Sequence, residues 1–496
     1  MNKSDRIPYE SSLASNLLSS FELNRYREAI RFKHISYRYE EILYHAKNIA
    51  VMLQDTNEER ILILSSRHVG SYVGIFGVIL SGRAYIFLNT KDNLDRLIDA
   101  INCSKSTTLL VDENNLTMAN HINHQLQYRL TIVRLSLNSY SNSFVSPKSA
   151  YQYAYIMFTS GTSGKPKGVA ISHINILSFL KNIISRMNVN VESVFSHISE
   201  LTFDVSVHDI FSCWMVGACL CVLPENYIYR LEDYIQVNEI SHWASVPSVV
   251  ALLQQFRRLR ENIFPSLRYS IFCGEPLPLS LTKLWSIAAP NSVIDNLYGP
   301  TEATVFITGF RWNSFVNEKL IPIGWPFKGQ RACLVDDEIV LSGSQVVKEY
   351  WNNTTIDRDK FITINGVKNY RTGDLGQWHP NYGLIFKGRV DDQFKIRGYR
   401  VERSEIQIRI QEIALTSHVA VLPIKEEKIK KIFGFICFIG KTDCTIEELK
   451  MKCRSELPDY MCPSKFIQLN HFPLNKNGKI DYKFLESLYH SLDGLS

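Results

Sequence analysis

The stretch YIMFTSGTSGKPKGVAIS, Tyr155 to Ser172, runs apolar, breaks, and runs apolar again. The break, Thr159 to Gly168, holds four glycines or prolines, four hydroxyl side chains and the two lysines Lys165 and Lys167. Glycines let backbone amides approach an anion and a lysine adds a point charge, so phosphate is the first ligand to consider. The spacing excludes a Walker loop: Lys165 is followed by Pro166, where that motif needs a serine or threonine and a free amide. A plain Gly/Ser turn between strand and helix is the competing reading. The apolar runs on either side, YAYIMF and VAISHINILSFL, favour a loop presented by a folded layer.

Outward from this stretch, short β-branched runs recur. They are RILILSS (60–66), AYIFL (84–88), TTLLVD (107–112), ACLCVL (218–223), SHWASV (241–246), YSIFCG (269–274) and SVIDNLYG (292–299). Amphipathic segments of helix length lie between many of them, such as 39–54 and 247–262. Strand and helix in alternation predict the α/β class, with mostly parallel or mixed sheets covered by helices. After about residue 322 the pattern changes. ACLVDDEIVLSG (332–343) and GLIFKGRVDDQFKIRG (383–398) read as hairpins, with Asp336-Asp337 and Asp391-Asp392 as turn or hinge residues. Beyond residue 400 comes a shorter α+β pattern. The expected organisation is a large N-terminal domain over 1–390 and a small C-terminal domain over 391–496.

The chain has 496 residues, 45% of them hydrophobic and 21% charged, which is ordinary globular usage. A net charge of +6 spread over this length argues against nucleic acid and against an anionic membrane as partners. The N-terminus has no signal-peptide core and no apolar run reaches a membrane-spanning length, so a cytoplasmic protein without membrane insertion is expected. Ten cysteines without CxxC spacing give no zinc or redox motif and read as reduced thiols.

Four further motifs follow the opening one in order: NLYGPTEATV (296–305), YRTGDLG (370–376), FKGRVDDQFKIRGYRVERSEI (386–406) and PLNKNGKID (473–481). Together with FTSGTSGKPKGV they resemble the AMP-forming adenylate ligases, which include acyl-CoA synthetases, luciferases and the amino-acid-activating domains of peptide synthetases. The resemblance runs from ISYRYEEIL (35–43) to GKIDY, about nine-tenths of the chain. It implies a β-barrel-like subdomain within the large domain and a mobile α+β lid. It also implies attack of a carboxylate on the α-phosphate of ATP, with Mg²⁺, followed by transfer of the acyl group to a thiol.

Residue by residue, the resemblance implies that Thr159, Ser160, Gly161, Thr162, Ser163, Gly164, Lys165 and Lys167 hold the β- and γ-phosphates. Gly274, Glu275 and Pro276, with Asn296, Tyr298 and Gly299, would surround the adenine. Thr301 and Glu302 would meet the α-phosphate and Mg²⁺, and Asp374 and Arg389 the ribose. Lys479, projected by the Asn477-Gly478 turn, would bridge substrate carboxylate and phosphate, with Asp391 as the hinge of the lid and Asp392 the neighbouring alternative.

ELTFDVSVHDIF (200–211) bears on the acid. In the amino-acid-activating branch the aspartate of this motif pairs with the substrate's ammonium, which places Asp204 there; its other reading is a helix cap. The resemblance lines the remaining pocket with Val205, His208, Ala244, Ile271, Cys273, Leu297, Val305 and Phe306. His208 reads either as a hydrogen-bond partner for a polar substrate side chain or as a core histidine against Trp214. SIFCGEPLP and YGPTEATVFIT look most like the D-alanine:carrier-protein ligases and the free-standing amino-acid adenylating enzymes near them. The expectation is a small or medium neutral amino acid, D- or L-alanine among the candidates, loaded onto the phosphopantetheine thiol of a separate carrier protein. No carrier motif follows Lys479 in the remaining 17 residues. The alternatives are an acyl- or aryl-acid CoA ligase, and a non-catalytic adenylate-binding protein on the same fold.

Overall fold

A computed structural model describes residues 6–135, 146–147, 149–159, 166–224, 230–316, 318–352, 359–390, 393–396, 399–414, 416, 419–426, 431–440, 444–469, 472–473 and 480–493. The chain forms two compact units. One comprises Met1–Thr90, Leu97–Phe158 and Lys167–Val390; the other comprises Lys91–Arg96, Thr159–Pro166 and Asp391–Ser496.

The first unit is built on two large sheets. In the six-stranded sheet the order is Lys167–Ser172, Tyr153–Thr159, Ala84–Leu88, Arg60–Leu64, Thr108–Val111 and Thr131–Arg134. Its inner neighbours run parallel, and side chains such as Ile61, Ile63, Leu62 and Leu64 are buried on both faces. That double burial is why these strands read as continuous apolar runs rather than alternating ones. The nine-stranded sheet holds a parallel array from Val293–Tyr298 through Tyr269–Phe272, His242–Ser245 and Val194–His197 to Cys219–Val222. Antiparallel strands close both its edges. The expected α/β class, with mixed sheets covered by helices, is what the chain adopts.

The opening stretch departs from the simple strand-to-helix turn. Its second apolar run, Lys167–Ser172, is itself a strand, and the helix His173–Arg186 begins only after it. Ser172 starts that helix: its Oγ accepts from the Asn175 amide at 3.2 Å while Asn175 Oδ1 accepts from the Ser172 amide at 3.0 Å, so the two residues satisfy each other's open ends.

The hairpin expected over 332–343 forms, Gln330–Val335 pairing with Glu338–Gly343. Asp336 and Asp337 both take positive φ, 51° and 62°, the tight turn in which short polar side chains are best tolerated. The hairpin expected over 383–398 does not form. Gly383–Arg389 pairs backward with Val367–His379, and Gln393–Ile396 pairs forward with Tyr399–Glu402. Gly383, at φ 73°, turns the chain directly back onto residues 374–379, which takes up the first half before it can pair with the second.

The second unit has its own core. Val419 and Val421 with Cys437 and Ile439 face one way, against Ile406, Ile410 and Leu449; Ala420, Leu422, Ile436 and Phe438 face the other, against Leu485. The alternation with period two is what lets one three-stranded sheet bury both faces under helices. Among the described residues no helix is long and apolar enough to cross a membrane, and all ten cysteines are free.

Candidate active site

The strand Val293–Tyr298 and its antiparallel return Thr308–Arg311 carry between them the segment GPTEATVFI. The connection is tight. Thr301–Ala303 is one 3-10 turn, and Thr304 and Val305 follow at φ 57° and 66°. A β-branched residue at positive φ is a strained conformation that surrounding contacts must enforce. They are visible here: Thr304 Oγ1 donates to the Gln345 carbonyl at 2.5 Å, and Gln345 Nε2 donates to the Phe306 carbonyl at 2.7 Å. Gly299 lies so close beneath the loop that a Cβ there would sit 2.5 Å from the Val305 oxygen and 2.9 Å from Phe306 Cα. Gly299→Ala is therefore expected to cost about 1–3 kcal/mol of stability, read as a lower midpoint of thermal unfolding; an unchanged midpoint would contradict this backbone approach.

Tyr298, at the end of the strand, donates its hydroxyl to Asp374 Oδ2 at 2.6 Å across 76 residues of sequence. Burial, and then the Asp374 carboxylate, push the Tyr298 phenol well above its ordinary value, so it stays a donor. Asp374 stands opposite Arg389 in the register of Val367–His379 and Gly383–Arg389. The Arg389 guanidinium donates to Asp374 Oδ1, and its other nitrogen reaches the Thr372 carbonyl at 3.3 Å. Residues from two other motifs, Tyr298 and Arg389, thus converge on the one buried carboxylate of Asp374.

Glu302 is fully buried, and its Oε1 accepts from the Tyr350 hydroxyl at 2.6 Å; Tyr350 and Tyr370 hydroxyls lie 3.2 Å apart. The Lys167 ammonium stands 5.4 Å from the centre of the Tyr350 ring, which brings the end of the glycine-rich segment to the same place. Among the described residues no group of three or more histidines, cysteines or carboxylates could hold a metal by itself. A lone carboxylate fits Mg²⁺, which keeps waters and takes phosphate oxygens, and does not fit a structural zinc.

Asp204 is the first residue of the helix Asp204–Met215, and the cap position belongs to Phe203, so the capping reading is not realised. The carboxylate is half-buried and lies near enough to Tyr155 to add to the burial that raises that phenol. Ala244, Ile271, Cys273, Leu297, Val305 and Phe306 belong to one apolar cluster, with Val205 packed against it. The strand register explains part of this, since Ala244 pairs with Ile271 across the sheet. His208 packs near Phe306, ring centres 5.5 Å apart, while Trp214 packs on Phe21 and Phe76. A separation of six residues turns the two side chains about 120° apart around the helix axis, which sends them to different neighbours.

Other expected residues serve the scaffold in this geometry. Asn296 Nδ2 donates to the carbonyls of Ile321 and Pro322, each at 2.9 Å. Glu275 accepts from the amide and hydroxyl of Ser248 at 3.0 and 3.1 Å, at the start of the helix Pro247–Gln255, and Gly274 before it takes a φ of 76°. Pro276 is exposed, Thr301 half-buried, and Thr159 ends its strand half-buried. Ser160, Gly161, Thr162, Ser163, Gly164, Lys165, Asp391 and Lys479 lie outside the described residues. Sequence reasoning missed Tyr350, Tyr370 and Gln345, whose places around Glu302 and the Thr304-Val305 turn depend on tertiary pairing.

The family described as AMP-binding enzyme matches residues 21–351, and AMP-binding enzyme C-terminal domain matches residues 410–479. A D-alanine--D-alanyl carrier protein ligase of Staphylococcus haemolyticus is 29% identical over 94% of this chain and 97% of its own length. Malpinin synthetase of Mortierella alpina is 31% identical over 86% of this chain, which spans only 6% of that protein. The crystal structure of the Vibrio cholerae adenylation domain AlmE, solved with glycyl-adenosine-5'-phosphate, superposes with a TM-score of 0.87 at 27% identity, covering 99% of both chains.

Proposed function

The chain belongs to the AMP-binding enzyme family, whose members use ATP, and from that premise we propose that it activates an amino acid as its aminoacyl adenylate and passes it to a carrier-protein thiol. A carboxylate oxygen of the amino acid attacks the α-phosphorus of ATP; the bond to the bridging oxygen breaks and pyrophosphate leaves. The sulfur of the phosphopantetheine then attacks the acyl carbon, and AMP departs.

The observation that carries this reading is the convergence of Tyr298 and Arg389 on Asp374. Asp374 offers carboxylate oxygens to paired ribose hydroxyls, Arg389 holds it in place, and the Tyr298 ring supplies a face for the base. Glu302, fixed by Tyr350, would hold Mg²⁺, which supplies charge neutralisation at the phosphates. Thr301 and the hydroxyls and amides of 159–164, with Lys165 and Lys167, would stabilise charge on the phosphates, and Lys479 would do so at the reacting oxygens. Asp204 would take the α-ammonium, and the apolar cluster around Leu297 and Cys273 limits the side chain to small or medium neutral types. Support for an amino acid and a carrier comes from the D-alanyl carrier protein ligase relatives and from the AlmE complex.

Pyrophosphate exchange across D- and L-amino acids, fatty acids and aryl acids tests the proposal. Amino acids should drive exchange and the other acids should not. A response confined to fatty or aryl acids would make the protein an acyl- or aryl-acid ligase instead, and no acid-dependent exchange at all would make it a binding protein.

A further inference from the structure

We propose that Asp209, buried between two histidines, turns His208 into a hydrogen-bond acceptor, and that the amino acid taken by this chain bears a hydroxyl donor on a short side chain. The inference rests on the amino-acid reading above and narrows it.

Asp209 is 1% exposed. Its Oδ1 lies 2.9 Å from His208 Nδ1 and its Oδ2 lies 3.0 Å from His197 Nδ1, with the Ser199 hydroxyl donating to Oδ2 at 3.2 Å. Burial works to raise this carboxyl, but the hydrogen bonds from His197 and His208 and their electrostatic attraction together hold the group below the usual carboxylate range. An ionised carboxylate only accepts, so both histidines present N–H at Nδ1. In a neutral imidazole that assignment leaves a lone pair, and no hydrogen, on Nε2.

His208 Nε2 is buried and has no hydrogen-bond partner among the described residues. The ring is 2% exposed, and its ring neighbours Phe306, Phe179 and Phe195, at 5.5, 6.3 and 6.5 Å, have no donor to give. A buried polar atom left unmet calls for an explanation, and a ligand group is one. Asp204 and His208 are one helical turn apart on the same face of Asp204–Met215, about 6 Å along the axis. An amino acid held by its ammonium at Asp204 reaches that depth with a substituent on its β-carbon. A serine- or threonine-type hydroxyl supplies the missing hydrogen; an alanine or valine leaves Nε2 unmet. His197, edge-on to Tyr72 at 5.6 Å, acts as a positioning residue by fixing the second oxygen of Asp209.

The experiment is pyrophosphate exchange by the full chain with both enantiomers of serine against alanine, threonine against valine, and aspartate, whose ionised side chain only accepts. The hydroxyl member of at least one pair should exceed its apolar counterpart by about 10- to 100-fold in kcat/KM. Apolar members equal to or better than their hydroxyl counterparts, or aspartate as the best substrate, would overturn the inference while leaving amino-acid activation standing; silence with every amino acid would strike the reading beneath it. In Asp209→Asn the carboxamide can donate to His208 Nδ1 and so move the hydrogen to Nε2. An Nε2–H can still donate to a hydroxyl oxygen but now also to a carboxylate, so kcat/KM for aspartate relative to that for the hydroxyl amino acid should rise about tenfold. Equal changes for both would reduce Asp209 to a structural residue and overturn the tautomer assignment. The panel on the unsubstituted protein decides the question even if Asp209→Asn does not fold.

Discussion

Lys479→Ala is expected to lower acid-dependent pyrophosphate exchange by on the order of 10²-fold or more, with ATP binding and fold retained. The reaction joins two anions, a carboxylate and a triphosphate, and the charge on the oxygens at the α-phosphorus grows in the transition state. A cation placed there is worth far more to the transition state than to the bound substrates, which is why its loss falls on kcat rather than on binding. Lys479 is the cation proposed for this role from its place in the motif NKNGKID, ahead of the helix Tyr482–Asp493. Truncating a lysine in so polar a stretch removes charge rather than apolar packing, so circular dichroism and nucleotide binding should be preserved. Near-normal exchange by the variant would remove Lys479 from the reaction.

Asp204→Asn is expected to lower kcat/KM for the amino acid by on the order of 10²-fold, chiefly through KM. A half-buried carboxylate and an ammonium are both taken from water when they pair, and removing one partner leaves the other charge uncompensated, a loss of about 3 kcal/mol or more. The carboxamide keeps the shape and removes the charge, so packing at the start of Asp204–Met215 is conserved. A loss confined to kcat, with KM for the amino acid unaltered, would contradict the pairing, and undiminished activity would favour an acid without an amine.

The parts of the fold that are legible in the sequence are those governed by local period. Runs such as RILILSS and AYIFL announce buried parallel strands because both of their faces are covered. The turn at Asp336-Asp337 announces its hairpin because it needs two residues that tolerate positive φ. The segment 383–398 reads as one hairpin because nothing in its own pattern reveals that Val367–His379, upstream, is the better partner for its first half. The strand Lys167–Ser172 is hidden for a similar reason, since VAIS followed directly by a helical pattern looks like helix until an edge of sheet is there to receive it.

The candidate site is legible only where a motif carries the residues together. Tyr298 and Asp374 are 76 positions apart, and no period or spacing joins them; ordered motifs do. Tyr350 and Gln345 belong to no such motif, and Tyr370 opens one without a role of its own. Their parts in fixing Glu302 and the strained Thr304-Val305 turn depend on tertiary approach. Asp209 stands beside His208 in FDVSVHDIF, yet its importance lies in a third residue, His197, 12 positions earlier on a neighbouring strand.

The central claim is that this chain forms an acyl adenylate. A single-turnover reaction with ATP labelled at the α-phosphate, Mg²⁺ and a panel of amino acids tests it most directly. Label in enzyme-bound aminoacyl-AMP, with one pyrophosphate released for each adenylate formed, is the result predicted. Label appearing in ADP with release of inorganic phosphate, or remaining in ATP whatever acid is supplied, would contradict it.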